Sequence, residues 1–155
     1  MAELVEDFND TSYVVTISGN WGRSTTTPYQ GSGCFKSAVI DHGGNTEATV
    51  TVPAGATKVK FWYRVSSESG YDMFRFFINS TEQTAVTSSG AVNWTASPEF
   101  DVSPGQTLTF RYSKDSSSAV GEDAAYIDNL TFTVDGLPPA PLSNIAAALT
   151  RASRW

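Results

Sequence analysis

The sequence predicts an all-β protein, and three observations support that prediction. Apolar and polar residues alternate along several short segments, which is the period of a half-buried strand. Glycine, proline and asparagine separate these segments at short intervals, as expected for turns. Hydrophobic residues make up 40% of the 155 residues and aromatic residues 12%, a composition that favours strands over disorder. Many short strands with frequent turns indicate a sandwich or a barrel.

The strands can be placed in order from this alternation. A Gly/Pro-containing segment, residues 21–33, is predicted to be a loop. The expected strands cover residues 4–8, 13–17, 35–40, 48–52, 59–65, 73–78, 85–86, 92–94, 100–102, 108–112 and 125–134.

The last predicted strand contains a carboxylate among apolar residues. Asp128 follows Ile127 directly, and Leu130 comes two positions later. Burying a carboxylate is costly unless something compensates its charge. Glu6 and Asp7 lie in the first strand, and pairing of the first and last strands would bring the three carboxylates together. Such oxygens bind hard cations, so calcium is a candidate cofactor. The alternative is that Asp128 accepts backbone hydrogen bonds or pairs with a basic side chain.

Consecutive aromatic residues place at least one ring on the outer face of a strand, as in Phe61-Trp62-Tyr63. Either both faces of such a strand are covered, or an outer ring forms a platform that stacks on a sugar. The candidate stacking residues are Trp21, Tyr29, Trp62 and Tyr71.

Charge and motif content exclude several functions. The net charge of -6 disfavours nucleic acid and basic membrane binding, and no apolar run is long enough to insert into a membrane. Cys34 and His42 are the only residues of their types, which excludes an intrachain disulfide and leaves a catalytic pair less favoured than a buried structural cysteine. Phosphate-loop and zinc-protease motifs are absent from the sequence, so we expect no enzyme activity.

The C-terminal segment differs from the rest in composition. Residues 1–136 are predicted to form the β domain, and residues 137–155 an extended Pro-rich linker and a short helical arm. The arm either packs back on its own domain or grips a neighbouring subunit. Its predicted contact residues are Leu142, Ile145, Leu149 and Trp155.

Two segments resemble a known family. FWYRVSSESGYDMFRFFIN at residues 61–79 and LTFRYSKDSSSAVGEDAAYIDNLTF at residues 108–132 resemble the bacterial branch of the MAM-like, concanavalin-type jelly-roll domains. Such domains occur in surface proteins, protease-associated adhesins and some phage virion proteins. The resemblance implies an antiparallel jelly-roll β-sandwich. It also implies a structural cation between the first and last strands, at Glu6 or Asp7 and at Asp128.

These observations give a first hypothesis and an alternative. The first is a non-enzymatic structural or adhesive accessory subunit, a phage virion decoration protein of the capsid or tail, which residues 137–155 attach to other virion proteins. The N-terminal residues lack a signal-peptide pattern, as expected for a virion protein made in the host cytoplasm. The alternative is a carbohydrate-binding or host-recognition module at the cell surface or outside the cell, with a cell-surface glycan as its partner. A glycoside hydrolase is less favoured, because nothing fixes the separation of the paired carboxylates it would need.

Overall fold

The computed structural model describes residues 2–135, which form two antiparallel β-sheets with a shared hydrophobic core. The only helix in this range is a single 3-10 turn, Thr84–Val86, and no helix there is long and apolar enough to cross a membrane. The predicted all-β sandwich is therefore confirmed. The predicted arm, with Leu142, Ile145, Leu149 and Trp155, lies outside the described residues.

The larger sheet has seven strands. They are β1 (Ala2–Glu6), β3 (Gly22–Ser24), β4 (Cys34–Lys36), β6 (Ala56–Ser66), β9 (Ala91–Ala96), β10 (Phe100–Asp101) and β12 (Ala124–Val134). At its centre, β6 pairs with β12. The other edge of β12 pairs first with β4 and then with β1, so that Tyr126 lies opposite Lys36 and Leu130 lies opposite Glu6. The first and last strands thus pair with each other, which is the condition set above for bringing their carboxylates together.

The smaller sheet has five strands, in the order β2-β5-β11-β7-β8. They are β2 (Ile17–Gly19), β5 (Asn45–Thr51), β7 (Met73–Ile78), β8 (Thr81–Glu82) and β11 (Thr107–Ser113). Its central strand is β11, in which Phe110 lies opposite Ala48 on one side and Phe76 on the other. The predicted alternation is confirmed there, because Leu108, Phe110 and Tyr112 are all fully buried.

Aromatic rings fill the space between the sheets. Phe110 packs edge-on against Phe61 of the larger sheet, with centroids 5.1 Å apart, and stacks on Phe76 of its own sheet at 5.0 Å. Because successive residues of a strand point to opposite faces, burial of Phe61 and Tyr63 leaves Trp62 on the outer face of the larger sheet.

Some predicted strands are shorter than expected. The strand predicted at residues 13–17 begins only at Ile17, because the Val14 amide donates to the buried side chain of Glu6 at 2.6 Å rather than to a neighbouring strand. The strand predicted at residues 35–40 ends at Lys36, and Val86 belongs to the 3-10 turn. The predicted loop at residues 21–33 contains the short strand β3.

Candidate functional site

Three aromatic rings meet on the outer face of the larger sheet. Trp62 extends from β6, Trp94 from β9 and Tyr29 from the β3–β4 loop. Tyr29 stacks on Trp62 with ring centroids 3.9 Å apart and planes 14° apart, and Trp94 is tilted against Tyr29 at 6.1 Å. We call these three residues the aromatic cluster. It brings together two of the four residues predicted to stack on a sugar.

Asp128 fixes the position of the Tyr29 ring. It lies opposite Trp62 in the β6–β12 register, and its Oδ2 accepts hydrogen bonds from the amides of Tyr29 at 3.0 Å and Gln30 at 3.2 Å. Its Oδ1 accepts the Asn129 amide at 2.8 Å. Complete burial raises the pKa of Asp128 to about 6, although these amides favour the charged form. Asp128 is therefore a positioning residue that holds Tyr29 over Trp62.

A second tie connects the same loop to the sheet. The Trp94 indole Nε1 donates to the carbonyl oxygen of Thr27 at 3.0 Å. Cys34 is buried on this face with Tyr126, and the rings of Trp94 and Tyr126 form a T-shaped pair with centroids 6.4 Å apart. The loop is thus held at both Thr27 and Tyr29, which gives the aromatic cluster one defined arrangement.

Polar groups border the aromatic cluster. The Arg64 guanidinium lies 4.8 Å from the centroid of the Tyr126 ring, and Glu122 accepts hydrogen bonds from Arg64 and from the Tyr126 hydroxyl. These two bonds lower the pKa of Glu122 to about 2, with Arg64 the larger cause. A shallow groove of about 210 Å³ is lined in part by Arg64 and by Asn93, the residue before Trp94 in β9. Donors and an ionised acceptor therefore flank the rings.

Two of the predicted stacking residues do not join this cluster. Trp21 is buried among Phe35, Phe74 and Phe110, and its Nε1 donates to the Thr46 carbonyl oxygen at 3.1 Å. The prediction for Trp21 is wrong, because the segment that carries it turns into the core and leaves no ring face open to a ligand.

Tyr71 is 61% exposed on the β6–β7 loop and pairs with no other aromatic ring of the described chain. Trp94, in contrast, was not predicted to be a stacking residue. Its position in the sequence could have identified it. Trp94 lies in a strand between polar Asn93 and Thr95, so no neighbouring residue of the strand offers its ring an apolar contact.

The predicted cation ligands accept hydrogen bonds from backbone amides. Glu6 is buried, and its two carboxylate oxygens accept the amides of Phe8 at 3.0 Å and Val14 at 2.6 Å; burial raises the pKa of this carboxyl. Asp7 Oδ1 accepts the Asn9 amide at 3.0 Å. With Asp128 bound to loop amides as well, all three carboxylates have backbone partners, as the alternative expected. A cation between the first and last strands stays a prediction.

The catalytic pair considered for Cys34 and His42 also lacks support. Burial raises the pKa of the Cys34 thiol to about 12, and neighbouring Asp128 adds to the shift. His42 is exposed on the β4–β5 loop. A neutral, buried thiol is a poor nucleophile, so Cys34 is a packing residue.

The outer face of the smaller sheet carries paired charges instead of open rings. Arg111 lies over the Phe77 ring at 4.5 Å and binds Glu47 at 2.5 Å, while Arg75 pairs with Glu82 at 3.4 Å. Because Arg111 covers the ring of Phe77, the aromatic cluster is the stronger candidate for a ligand platform.

Solved structures provide the only similarity found, since no protein-family model and no curated protein matches the chain. A cleaved adhesin domain of Lys-gingipain is 15% identical, with 86% of this chain and 99% of that domain covered and a TM-score of 0.60. The xylan-binding domain of Paenibacillus barcinonensis Xyn10C is 13% identical, with coverages of 84% and 92% and a TM-score of 0.54. At such identities the likeness shows the fold, a β-sandwich shared with adhesin and carbohydrate-binding domains.

Proposed function

We propose that this protein is a non-catalytic carbohydrate-binding module that binds glycan through the aromatic cluster. The observation that carries the proposal is Tyr29, a residue 37% exposed whose ring stacks on Trp62 and whose amide is bound by buried Asp128. An aromatic ring packs against the apolar C–H face of a pyranose, and nearby polar groups bind its hydroxyls. The adhesin and xylan-binding domains among its structural neighbours support this functional class.

The geometry of the site suits binding at low entropic cost. Asp128 and Trp94 hold the loop before a ligand arrives, so little conformational freedom is lost on binding. Arg64 and Asn93 supply donors on one side of the rings, and ionised Glu122 supplies an acceptor. We infer that a sugar stacks on Tyr29 while these groups bind the hydroxyls at its rim.

The carboxylates near the aromatic cluster do not suit glycoside cleavage. A glycosidase needs a protonated carboxylic acid near the scissile oxygen. Hydrogen bonds from Arg64 and Tyr126 lower the pKa of Glu122 to about 2, so this carboxyl group is ionised at neutral pH. Asp128 is fully buried and occupied by loop amides. This chemistry supports a binding role rather than catalysis.

Replacing the rings of the aromatic cluster tests the proposal. We expect Tyr29→Ala and Trp62→Ala to weaken binding to soluble xylan, galactan, β-glucan or peptidoglycan fragments by at least about tenfold, because central aromatic contacts carry much of a binding energy. Tyr71→Ala is the matched control and should bind as the unaltered protein does. Binding is followed by tryptophan fluorescence and calorimetry, and melting curves confirm that each variant folds.

Either of two results would contradict the proposal. One is the absence of binding to every polysaccharide of the panel. The other is unchanged affinity in both Tyr29→Ala and Trp62→Ala, which would place the ligand elsewhere.

We further infer that the sandwich has jelly-roll connectivity. The chain passes between the sheets repeatedly, since β4 and β6 lie in the larger sheet, β5 and β7 in the smaller, and β11 and β12 in opposite sheets. Double-sheet folds with repeated crossings of this kind are typical of jelly rolls. This connectivity supports the resemblance of residues 61–79 and 108–132 to MAM-like domains.

The setting in which the module works is a separate proposal. The carbohydrate-binding alternative, at a cell surface or outside the cell, has the support of the adhesin and xylan-binding neighbours. The virion hypothesis depends on residues 137–155, which lie outside the described residues. Both settings are compatible with a glycan as ligand.

A further inference from the structure

Three carboxylates meet at one end of the sandwich, on loops that carry none of the three rings of the aromatic cluster. Glu68 and Asp72 lie on the β6–β7 loop and Asp115 on the β11–β12 loop. Each offers a carboxylate oxygen, and these oxygens lie within 4.8 Å of one another. We call these residues the acidic cluster. None of the ion pairs formed within residues 2–135 includes any of the three.

A buried oxygen in this cluster has no protein partner. Asp72 is 0% exposed, and its Oδ1 accepts the Asp115 amide at 3.0 Å. Its Oδ2 accepts a hydrogen bond from no described residue, and the same holds for the buried Glu68 Oε1. Leaving a carboxylate oxygen buried and unpartnered is costly. Asp72 therefore points to a partner that the protein itself does not supply.

Neighbouring cations do not provide that partner. The Lys114 ammonium, whose side chain is 2% exposed, binds Asp123, and His42 is exposed on the adjacent β4–β5 loop. Burial raises the pKa of Glu68, and the nearby Asp115 and Asp72 carboxylates raise it further. Lys114 and His42 lower this pKa by less than burial and the two carboxylates raise it, so an excess of negative charge remains at the acidic cluster.

We propose that Glu68, Asp72 and Asp115 bind a calcium ion. Calcium takes several oxygen ligands at about 2.3–2.6 Å, so two of its ligands can be no more than about 5 Å apart, which the acidic cluster satisfies. Carboxylates on loops suit its flexible coordination better than the strict octahedron of magnesium. The site differs from the first–last strand position of Glu6 and Asp128, and it does not depend on glycan binding.

The ion would connect the β6–β7 and β11–β12 loops, and the second of these already bonds to the β4–β5 loop. Asp72 already holds the β11–β12 loop through the Asp115 amide, and the Asp115 carbonyl oxygen accepts the Gly43 amide of the β4–β5 loop at 2.6 Å. Asp115 Oδ1 also accepts the Ser117 amide at 3.2 Å. Calcium on the acidic cluster therefore adds a cross-link between two loops that each connect one sheet to the other.

Melting with and without calcium tests this site. The full chain is treated with a chelator, dialysed and titrated with calcium chloride. At about a hundredfold excess over the dissociation constant, we expect the melting temperature to rise by about 5–10 °C. Asp72→Asn and Asp115→Asn should abolish the rise, while Asp101→Asn, which removes an equal but exposed charge on β10, should keep it. Calcium should also slow hydrogen exchange at the Asp115 and Ser117 amides.

A melting temperature that does not respond to calcium up to millimolar concentrations would overturn the proposal. So would a calcium response that persists in both Asp72→Asn and Asp115→Asn. Loss of the response in Asp128→Asn but not in Asp115→Asn would place the ion between the first and last strands instead. If a variant fails to fold, terbium luminescence of the unaltered chain, displaced by calcium, measures binding directly.

Discussion

At the scale of single residues, buried carboxylates organise the larger sheet through backbone amides. Asp128 accepts three amides and Glu6 accepts two, so each fixes a loop that has no sheet partner of its own. Burial nevertheless raises the pKa of both groups, which means that desolvation outweighs the amide bonds. These residues define loop geometry at a cost in stability near neutral pH.

Asp128 should leave a measurable pH signature. Between its unfolded pKa of 3.8 and its folded pKa of about 6, the folded state keeps a proton that the unfolded chain has released. The free energy of unfolding therefore falls as pH rises through this window, by about 3 kcal/mol for this group. Below about pH 4 and well above pH 6 its contribution is constant.

Urea unfolding at several pH values, compared with Asp128→Asn, measures this effect. Asparagine does not titrate, so the unaltered protein should lose about 3 kcal/mol more than the variant between about pH 4 and pH 7. If the free energy of unfolding changes with pH by the same amount in the two proteins, the carboxyl group of Asp128 has an ordinary pKa.

At the scale of elements, strand β12 changes partner at a bulge. Its pairing with β6 shifts register between Asp128 and Thr131, where its other edge passes from β4 to β1. Asn129 lies in this bulge with a φ of 45°, a left-handed conformation that asparagine and glycine tolerate best. The bulge therefore turns Asp128 toward the loop that carries Tyr29.

Alanine and glycine at position 129 should separate backbone strain from side-chain bonding. Both variants lose the hydrogen bond from Asn129 Nδ2 to Gln30 Oε1 at 2.7 Å, but only alanine is strained at this φ. We expect Asn129→Gly to be more stable than Asn129→Ala by about 1 kcal/mol in urea unfolding.

The matched control is Thr109 in β11, whose pairing with β5 and β7 has no register shift. There the order should reverse, with Thr109→Ala more stable than Thr109→Gly by roughly 0.5–1 kcal/mol. An equal order at both positions would contradict a strained bulge at Asn129.

Local sequence patterns predict the elements well but not the site. Alternation places Phe61 and Tyr63 in the core and Trp62 outside, as observed. Tyr29 meets Trp62 only because Asp128, 99 residues away in sequence, binds its amide. Periodicity reports which face a residue occupies and carries no information about which loop lies over that face. The acidic cluster escapes prediction for the same reason, since two separate loops form it.

At the scale of the whole molecule, the two proposed sites use different parts of one sandwich. The aromatic cluster lies on a sheet face, and the acidic cluster lies among loops. The β11–β12 loop joins them, because it contains Asp115 and ends near Glu122, which binds Arg64. Because the aromatic cluster and the acidic cluster share no residue, calcium binding and glycan binding can be tested separately on one protein.

Removing residues 137–155 tests how the molecule is attached. The described core extends from Phe8 to Val134, so residues 1–136 should fold and bind glycan with unchanged affinity. If the virion hypothesis holds, this deletion reduces incorporation into phage particles, as measured by immunoblotting of purified particles. Undiminished incorporation would exclude the arm as the attachment, and loss of glycan binding would show that the β domain is incomplete without it.

The pairing of β1 with β12 has a mechanical consequence. Ala2 lies opposite Val134. Force applied between the two ends of the domain would therefore break the hydrogen bonds between β1 and β12 one after another, starting at this pair. A load between Val134 and a glycan held at Tyr29 takes a different path, along β12 and through Asp128. The hydrogen bonds between β12 and β6 run perpendicular to the two strands. They therefore bear this load together, in shear. A module tethered beyond Val134 would therefore resist a pull from its ligand better than a pull on its own two ends.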